Sequence, residues 1–198
     1  MTAMRRVALL SAALLALSGG IVRAQEKKEL RVLASFLPMA VFTRNVVGDA
    51  PGVRVEMMLP ASLGCPHDYD LTPGDMKKIA AADLFIVNGM GLEEFLGRPV
   101  QKANPRVRVV DTSAEVKPLR AGKKEDHAAH GAGHGHTHGH DHGEFNPHTW
   151  VSPRNAIAQV RAIEKALCEA LPAQADTFKR NADAYAARLE QLVAEFEK

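Results

Sequence analysis

The sequence predicts an α/β lobe, a parallel sheet flanked by helices, and three observations carry that expectation. Four short runs rich in Val, Ile and Leu are bounded by Pro, Gly, Asn or Asp, as strands are. Stretches of helical length lie between them, and strand alternating with helix at this spacing implies right-handed crossovers and a sheet covered on both faces. The 198 residues are 46% apolar and 24% charged, the composition of an ordinary globular domain rather than of a disordered chain or a collagen-like repeat. Two cysteines are too few for a disulfide framework.

In chain order, residues 1–24 come first as a separate segment. Arg5 and Arg6 precede the apolar run 7–17, and Val22-Arg23-Ala24 forms a cleavage-site pattern before Gln25, the parts of a secretory signal. The run is well short of the ~20 apolar residues that span a bilayer, and no cysteine stands at the cleavage site to take a lipid. The expected product is periplasmic or secreted. The formal charge of +2 owes its sign to Arg5, Arg6 and Arg23. Without them acids slightly outnumber bases, which excludes the basic surface of a nucleic-acid partner.

Strands are expected at 30–37, 53–59, 84–87 and 107–110, with helices at 39–47, 73–82 and 92–103 between them. Parallel sheets bind ligands outside the carboxyl ends of their strands, so the loops after Leu37, Leu59 and Val87 should gather at the site. Gly89-Met90-Gly91 after a strand has the look of a dinucleotide loop, but Glu94 stands at the third glycine position, and the segment reads as a strand-to-helix turn. Residues 126–143, almost wholly His, Gly, Ala, Asp and Thr, cannot bury a core. Two helices follow, 153–171 and 173–198. In the second, Phe178, Ala182, Tyr185, Leu189, Leu192 and Phe196 recur at helical spacing on one face that needs a partner. The domains expected are therefore a signal peptide at 1–24, an N-terminal α/β lobe at 25–171 and a long helix at 172–198.

Two histidines sit in matching frames. Pro66-His67-Asp68-Tyr69-Asp70-Leu71-Thr72-Pro73 and Pro147-His148-Thr149-Trp150-Val151-Ser152-Pro153 each place a histidine on a stiff loop just ahead of a helix start. Thr72 and Ser152 are the expected N-caps, with Asp75 completing a capping box after Thr72. Tyr69 and Trp150 are placed to wall the rings. Zinc takes neutral imidazole nitrogens at about 2.0–2.1 Å, and preorganised rings lower the ordering cost of binding; His67 and His148 are the candidate ligands, half of a tetrahedral site. Asp68 and Asp70 are either orienting carboxylates or solvated loop charges. The remaining seven histidines, His127, His130, His134, His136, His138, His140 and His142, form a polydentate zinc collector within the glycine-rich stretch.

Pro66-His67, Leu71-Thr72-Pro73, Ala82-Asp83, the run Val87-Asn88-Gly89-Met90-Gly91-Leu92-Glu93, the His-rich loop and Asn146-Pro147-His148-Thr149-Trp150-Val151-Ser152-Pro153, taken in order, resemble the substrate-binding proteins of zinc and manganese ATP-binding-cassette importers. The resemblance implies two α/β lobes joined by a long helix, with metal held in the cleft and His67 and His148 as the first lobe's ligands. It further implies a His and an acidic residue from a second lobe, for which this sequence, ending where the linking helix would run, offers no counterpart. An internal His-rich loop goes with Zn2+ rather than Mn2+. The implied partner is the membrane permease of the importer, with the receptor acting as a monomer and catalysing nothing.

Two other functions fit some of the residues. A periplasmic zinc buffer would use the His-rich loop alone. A metal-dependent hydrolase would need His67 with Asp68 and Asp70 around an open water position, but no His-Glu-x-x-His or Gly-x-Ser-x-Gly motif supports it. Cys65 and Cys168 would pair only within disulfide reach, which spacing leaves open.

Overall fold

A computed structural model of the chain describes residues 29–63, 66, 69–120 and 145–198. Four strands form one parallel sheet: β1 (Leu30–Ala34), β2 (Val53–Met57), β3 (Leu84–Val87) and β4 (Arg108–Asp111), in the order β2-β1-β3-β4. The helices are α1 (Leu37–Val47), α2 (Pro73–Ala81), α3 (Gly97–Ala103), α4 (Pro153–Ala170) and α5 (Ala175–Phe196). The expected α/β class with a parallel sheet is the one observed. β2 lies to one side of β1 and β3 to the other, so the winding direction reverses at β1. Right-handed crossovers then put α1 on one face and α2 and α3 on the opposite face. α4 and α5 pack on α1 and on each other.

Burial follows strand position. All four residues of β3 are buried in the sheet centre, while β2 alternates and β4, at the edge, is largely exposed. Val32, Leu33, Ala34, Phe85 and Ile86 from the sheet meet Met39, Val46, Val160, Ile163, Leu167 and Phe178 from the helices in one continuous core.

Several boundaries differ from the sequence expectation for local reasons. β1 stops at Ala34 because Phe36 takes extended backbone as the N-cap of α1, and Pro38 falls in that helix's first turn. The helix expected over 92–103 is split into a 3-10 turn, Glu94–Leu96, and α3. Glu93 causes the split by turning its carboxylate back onto the backbone N–H groups of Asn88 and Gly89, 2.8 and 3.0 Å away. Thr72 caps α2 as expected: its hydroxyl accepts from the Asp75 N–H at 3.2 Å, and the Asp75 carboxylate accepts from the Thr72 N–H at 2.9 Å. Ser152 holds the N-cap position of α4 but makes no side-chain cap bond.

The apolar stripe of α5 is covered over only part of its length. Phe178, Ala182, Ala186 and Leu189 are buried against α1 and α4, with Tyr185 beside them. Leu192 and Phe196 are 42% and 81% exposed, because the last turns of α5 pass the start of α4, where Arg154 pairs with Glu197. No helix among the described residues is long and apolar enough to cross a membrane.

Candidate metal centre

The carboxyl ends of β1, β3 and β4 carry Ser35 and Phe36, Asn88 and Gly89, and Thr112 and Ser113. The segment bearing His148 is fixed against this edge. An antiparallel bridge joins Phe145 to Arg120, and the Asn146 N–H donates to the Leu119 carbonyl at 2.8 Å. Pro147 and Thr149 are buried, with His148 half-buried between them, and a 3-10 turn, Thr149–Val151, leads into α4.

Asn146 decides the state of the His148 ring. Its Oδ1 accepts from the His148 backbone N–H at 3.0 Å and lies 2.8 Å from His148 Nδ1. A backbone N–H is always a donor, so that side-chain atom is the amide oxygen, and the hydrogen bond to it requires the proton on Nδ1. In the neutral ring this leaves the lone pair on Nε2, the tautomer in which an imidazole binds metal. Trp150 walls the ring as expected, with centroids 5.2 Å apart, and is itself braced edge-on by Phe36 at 4.8 Å. Phe36 directly follows Ser35 at the end of β1, which ties the His148 loop to the point where the strand order reverses.

Beneath the loop lies a buried polar network that the sequence reading missed. Asn88 Nδ2 donates to the Pro147 carbonyl at 2.8 Å, and Asn88 Oδ1 accepts from the Thr149 hydroxyl at 2.9 Å and from Gln159 Nε2 at 3.0 Å. Gln159 Nε2 also lies 3.0 Å from Thr112 Oγ1 and 3.1 Å from Ser113 Oγ. Asn88, Pro147 and Thr149 all stood in runs quoted above, but nothing in the sequence marked them as partners of one another or of Gln159.

Two carboxylates flank the same edge. Burial pushes the Glu93 carboxyl up, against the opposing pull of hydrogen bonds from the Asn88 N–H, the Ser35 hydroxyl and the Gly89 N–H. Burial likewise raises Asp111, whose Oδ1 accepts from the Ser113 N–H at 2.9 Å. The turn Gly89-Met90-Gly91 has φ of 87°, 51° and 80°. The N–H groups of Asn88, just before it, and of Gly89 are taken by Glu93, so the chain's own carboxylate stands where a dinucleotide loop would present donors to phosphate.

The other expected ligands, His67 and His127, His130, His134, His136, His138, His140 and His142, lie outside the described residues, as do Asp68 and Cys65. Of the first frame, Pro66 is buried and the Tyr69 hydroxyl donates to Asp75 Oδ2 at 2.8 Å; Asp70 is exposed. Among the described residues no cluster of three or more His, Cys, Asp or Glu could hold a metal, so His148 is the one expected cleft ligand whose geometry is seen. Cys168 is a free thiol, 3.7 Å from the Ala175 carbonyl oxygen.

Comparison with known proteins identifies the family to which the lobe belongs. The chain is 32% identical over 168 residues to the iron-binding protein YfeA of Yersinia pestis, which covers 84% of the chain and 48% of YfeA. It is 29% identical over 198 residues to the zinc-binding lipoprotein AdcA of Streptococcus pneumoniae, covering 96% of the chain and 37% of AdcA. The chain thus spans about half or less of the length of these relatives. Among solved structures, FpvC of Pseudomonas aeruginosa in complex with Mn2+ superposes with a TM-score of 0.69 at 31% identity, over 85% of this chain and 54% of that one. The model of the family described as zinc-uptake complex component A, periplasmic, matches residues 32–198, and the chain belongs to that family, ZnuA.

Proposed function

We propose that the chain captures a divalent metal ion, zinc first, in the periplasm and delivers it to the membrane permease of an ATP-binding-cassette importer. His148 and His67 are its ligands from this lobe. The observation that carries this reading is the anchored imidazole: Asn146 Oδ1 lies at hydrogen-bond distance from Nδ1, Trp150 backs the ring, and the loop that bears His148 is fixed at the carboxyl edge of a parallel sheet, where such folds bind ligands. Membership of a zinc-uptake family supports the same reading. Relatives named for iron, zinc and manganese share the lobe. Imidazole ligands favour zinc among these over the harder manganese ion, which prefers oxygen, and the histidines between 127 and 142 add further zinc-binding imidazoles to the chain. No bond of a substrate is made or broken; the metal is cargo. The protein acts as a monomer after the leader is removed at Ala24.

The chain has one tryptophan, and it stands against His148, so Trp150 emission reports on this site. Zinc titrated into the chain should change that emission, and His148→Ala or His67→Ala should weaken zinc binding by at least the roughly 10- to 100-fold typical of losing a group that merely orients a ligand. Deleting 126–143 should leave the Trp150 response in place. Wild-type affinity in His148→Ala would sink the ligand assignment, and loss of all zinc binding on deleting the loop would instead make the protein a buffer.

A further inference from the structure

We infer that Asn88 is a positioning residue for metal capture, holding the backbone on both sides of His148 so that the ring meets the metal without rearrangement. The inference rests on the reading of His148 as a ligand and adds to it the group that sets where that ligand stands. Asn88 is fully buried, and its amide is saturated. Nδ2 donates to the carbonyls of Pro147 and Gly89 at 2.8 and 2.9 Å, and Oδ1 accepts from Thr149 Oγ1 and Gln159 Nε2 at 2.9 and 3.0 Å. An amide has two N–H donors and two lone pairs, and here one of each goes to the residue immediately before or after His148.

The clamp is itself held from several elements. The Asn88 N–H is fixed by Glu93, which also takes the Ser35 hydroxyl at 2.8 Å from the end of β1. Gln159 comes from α4 and bonds Thr112 and Ser113 after β4, and the Ser113 and Thr149 hydroxyls meet at 2.9 Å. Asn88 Oδ1 must be the oxygen, since Nδ2 faces two carbonyls, so Gln159 turns its amino group toward it, and Gln159 Oε1 has no partner among the described residues. Asn146 and Asn88 therefore divide the work: Asn146 selects the tautomer of the ring, and Asn88 places the loop that carries it.

The test titrates cobalt(II) into the full chain and follows Trp150 emission, in wild type, His148→Ala, Asn88→Asp, Thr149→Val, Thr149→Ser and Asn104→Asp. Asn88→Asp keeps the shape but turns an acceptor toward the Pro147 carbonyl. Thr149→Val removes the hydroxyl from an isosteric side chain and keeps the test alive if Asn88→Asp fails to fold. Asn104 is the control: its Nδ2 clamps the carbonyls of Ile79 and Ala82 at 3.2 and 2.9 Å, so it stabilises the fold away from His148. Thermal unfolding establishes that each variant is folded at the assay temperature. We expect Asn88→Asp and Thr149→Val to bind cobalt about 10- to 100-fold more weakly, the range for groups that orient a metal ligand, with Thr149→Ser restoring most of the loss and Asn104→Asp losing stability but not affinity. If His148→Ala weakens binding while Asn88→Asp and Thr149→Val do not, the positioning role is overturned and the ligand stands. If Asn104→Asp weakens binding as much as Asn88→Asp, the effect is one of stability and the role is again overturned. If His148→Ala binds as wild type does, the ligand assignment itself falls, and this inference with it.

Discussion

Gly89 is the position where one added carbon should cost most. Its φ of 87° lies in the left-handed region, which costs a residue with a β-carbon about 1–2 kcal/mol. A β-carbon there would also fall inside the van der Waals radius of the Asp111 carboxylate oxygens. Asp111 can move only by giving up the bond from the Ser113 N–H at 2.9 Å, worth about 1 kcal/mol. Gly89→Ala should therefore destabilise the lobe by about 2–3 kcal/mol. With a urea slope of about 2 kcal/mol per molar, the middle of the usual range, that lowers the unfolding midpoint by roughly 1–1.5 M at unchanged slope. The two contributions separate in an Asp111→Ala background, where the obstacle is gone and only the backbone strain remains. There Gly89→Ala should cost about 1 kcal/mol less than in the wild-type background. Urea unfolding followed by far-UV circular dichroism measures all four proteins. A Gly89→Ala midpoint equal to wild type, or the same penalty with and without Asp111, would refute the reasoning.

Two further outcomes follow from the packing and the caps. Phe178 is fully buried where α5 meets α1 and α4, so Phe178→Ala should lose about 3–5 kcal/mol, whereas Phe196→Ala, at a mostly exposed position, should change the urea midpoint little. Burial works to raise the Asp75 carboxyl, but hydrogen bonds from Thr72 and Tyr69 outweigh it and hold the group below the usual carboxylate range. A lowered folded value means that its contribution is present above the unfolded value of about 3.9 and is lost as pH falls through the folded value. Asp75→Ala should thus cost about 1–2 kcal/mol near neutral pH and shrink the difference from wild type toward strong acid, read from urea midpoints between about pH 2 and 7.

What could be read from the sequence was local. Apolar runs, their spacing and the turn residues between them predict the parallel lobe, and Thr72 with Asp75 predicts a capping box because all its atoms lie within four residues. His148 was legible for the same reason: proline before it, tryptophan after it and a helix start beyond are close in the chain, and so is Asn146, which fixes its ring. Asn88 meets Pro147 across 59 residues and Gln159 across 71, and no short-range pattern marks that meeting. The split of the 92–103 helix was hidden likewise, since it depends on Glu93 turning back to the end of β3 and to Ser35 on β1. On α5 the spacing predicted an apolar face correctly but not where its cover ends, because that depends on where α4 begins.

The central claim is that His148 presents Nε2 to a metal ion at the carboxyl edge of this sheet. Crystals of the zinc-loaded chain, with anomalous differences collected at the zinc edge, test it most directly. The account predicts a zinc peak about 2.0–2.1 Å from His148 Nε2, with Nδ1 still bonded to Asn146 and Trp150 alongside. Zinc bound only at other histidines, with His148 Nε2 free of metal, would contradict it.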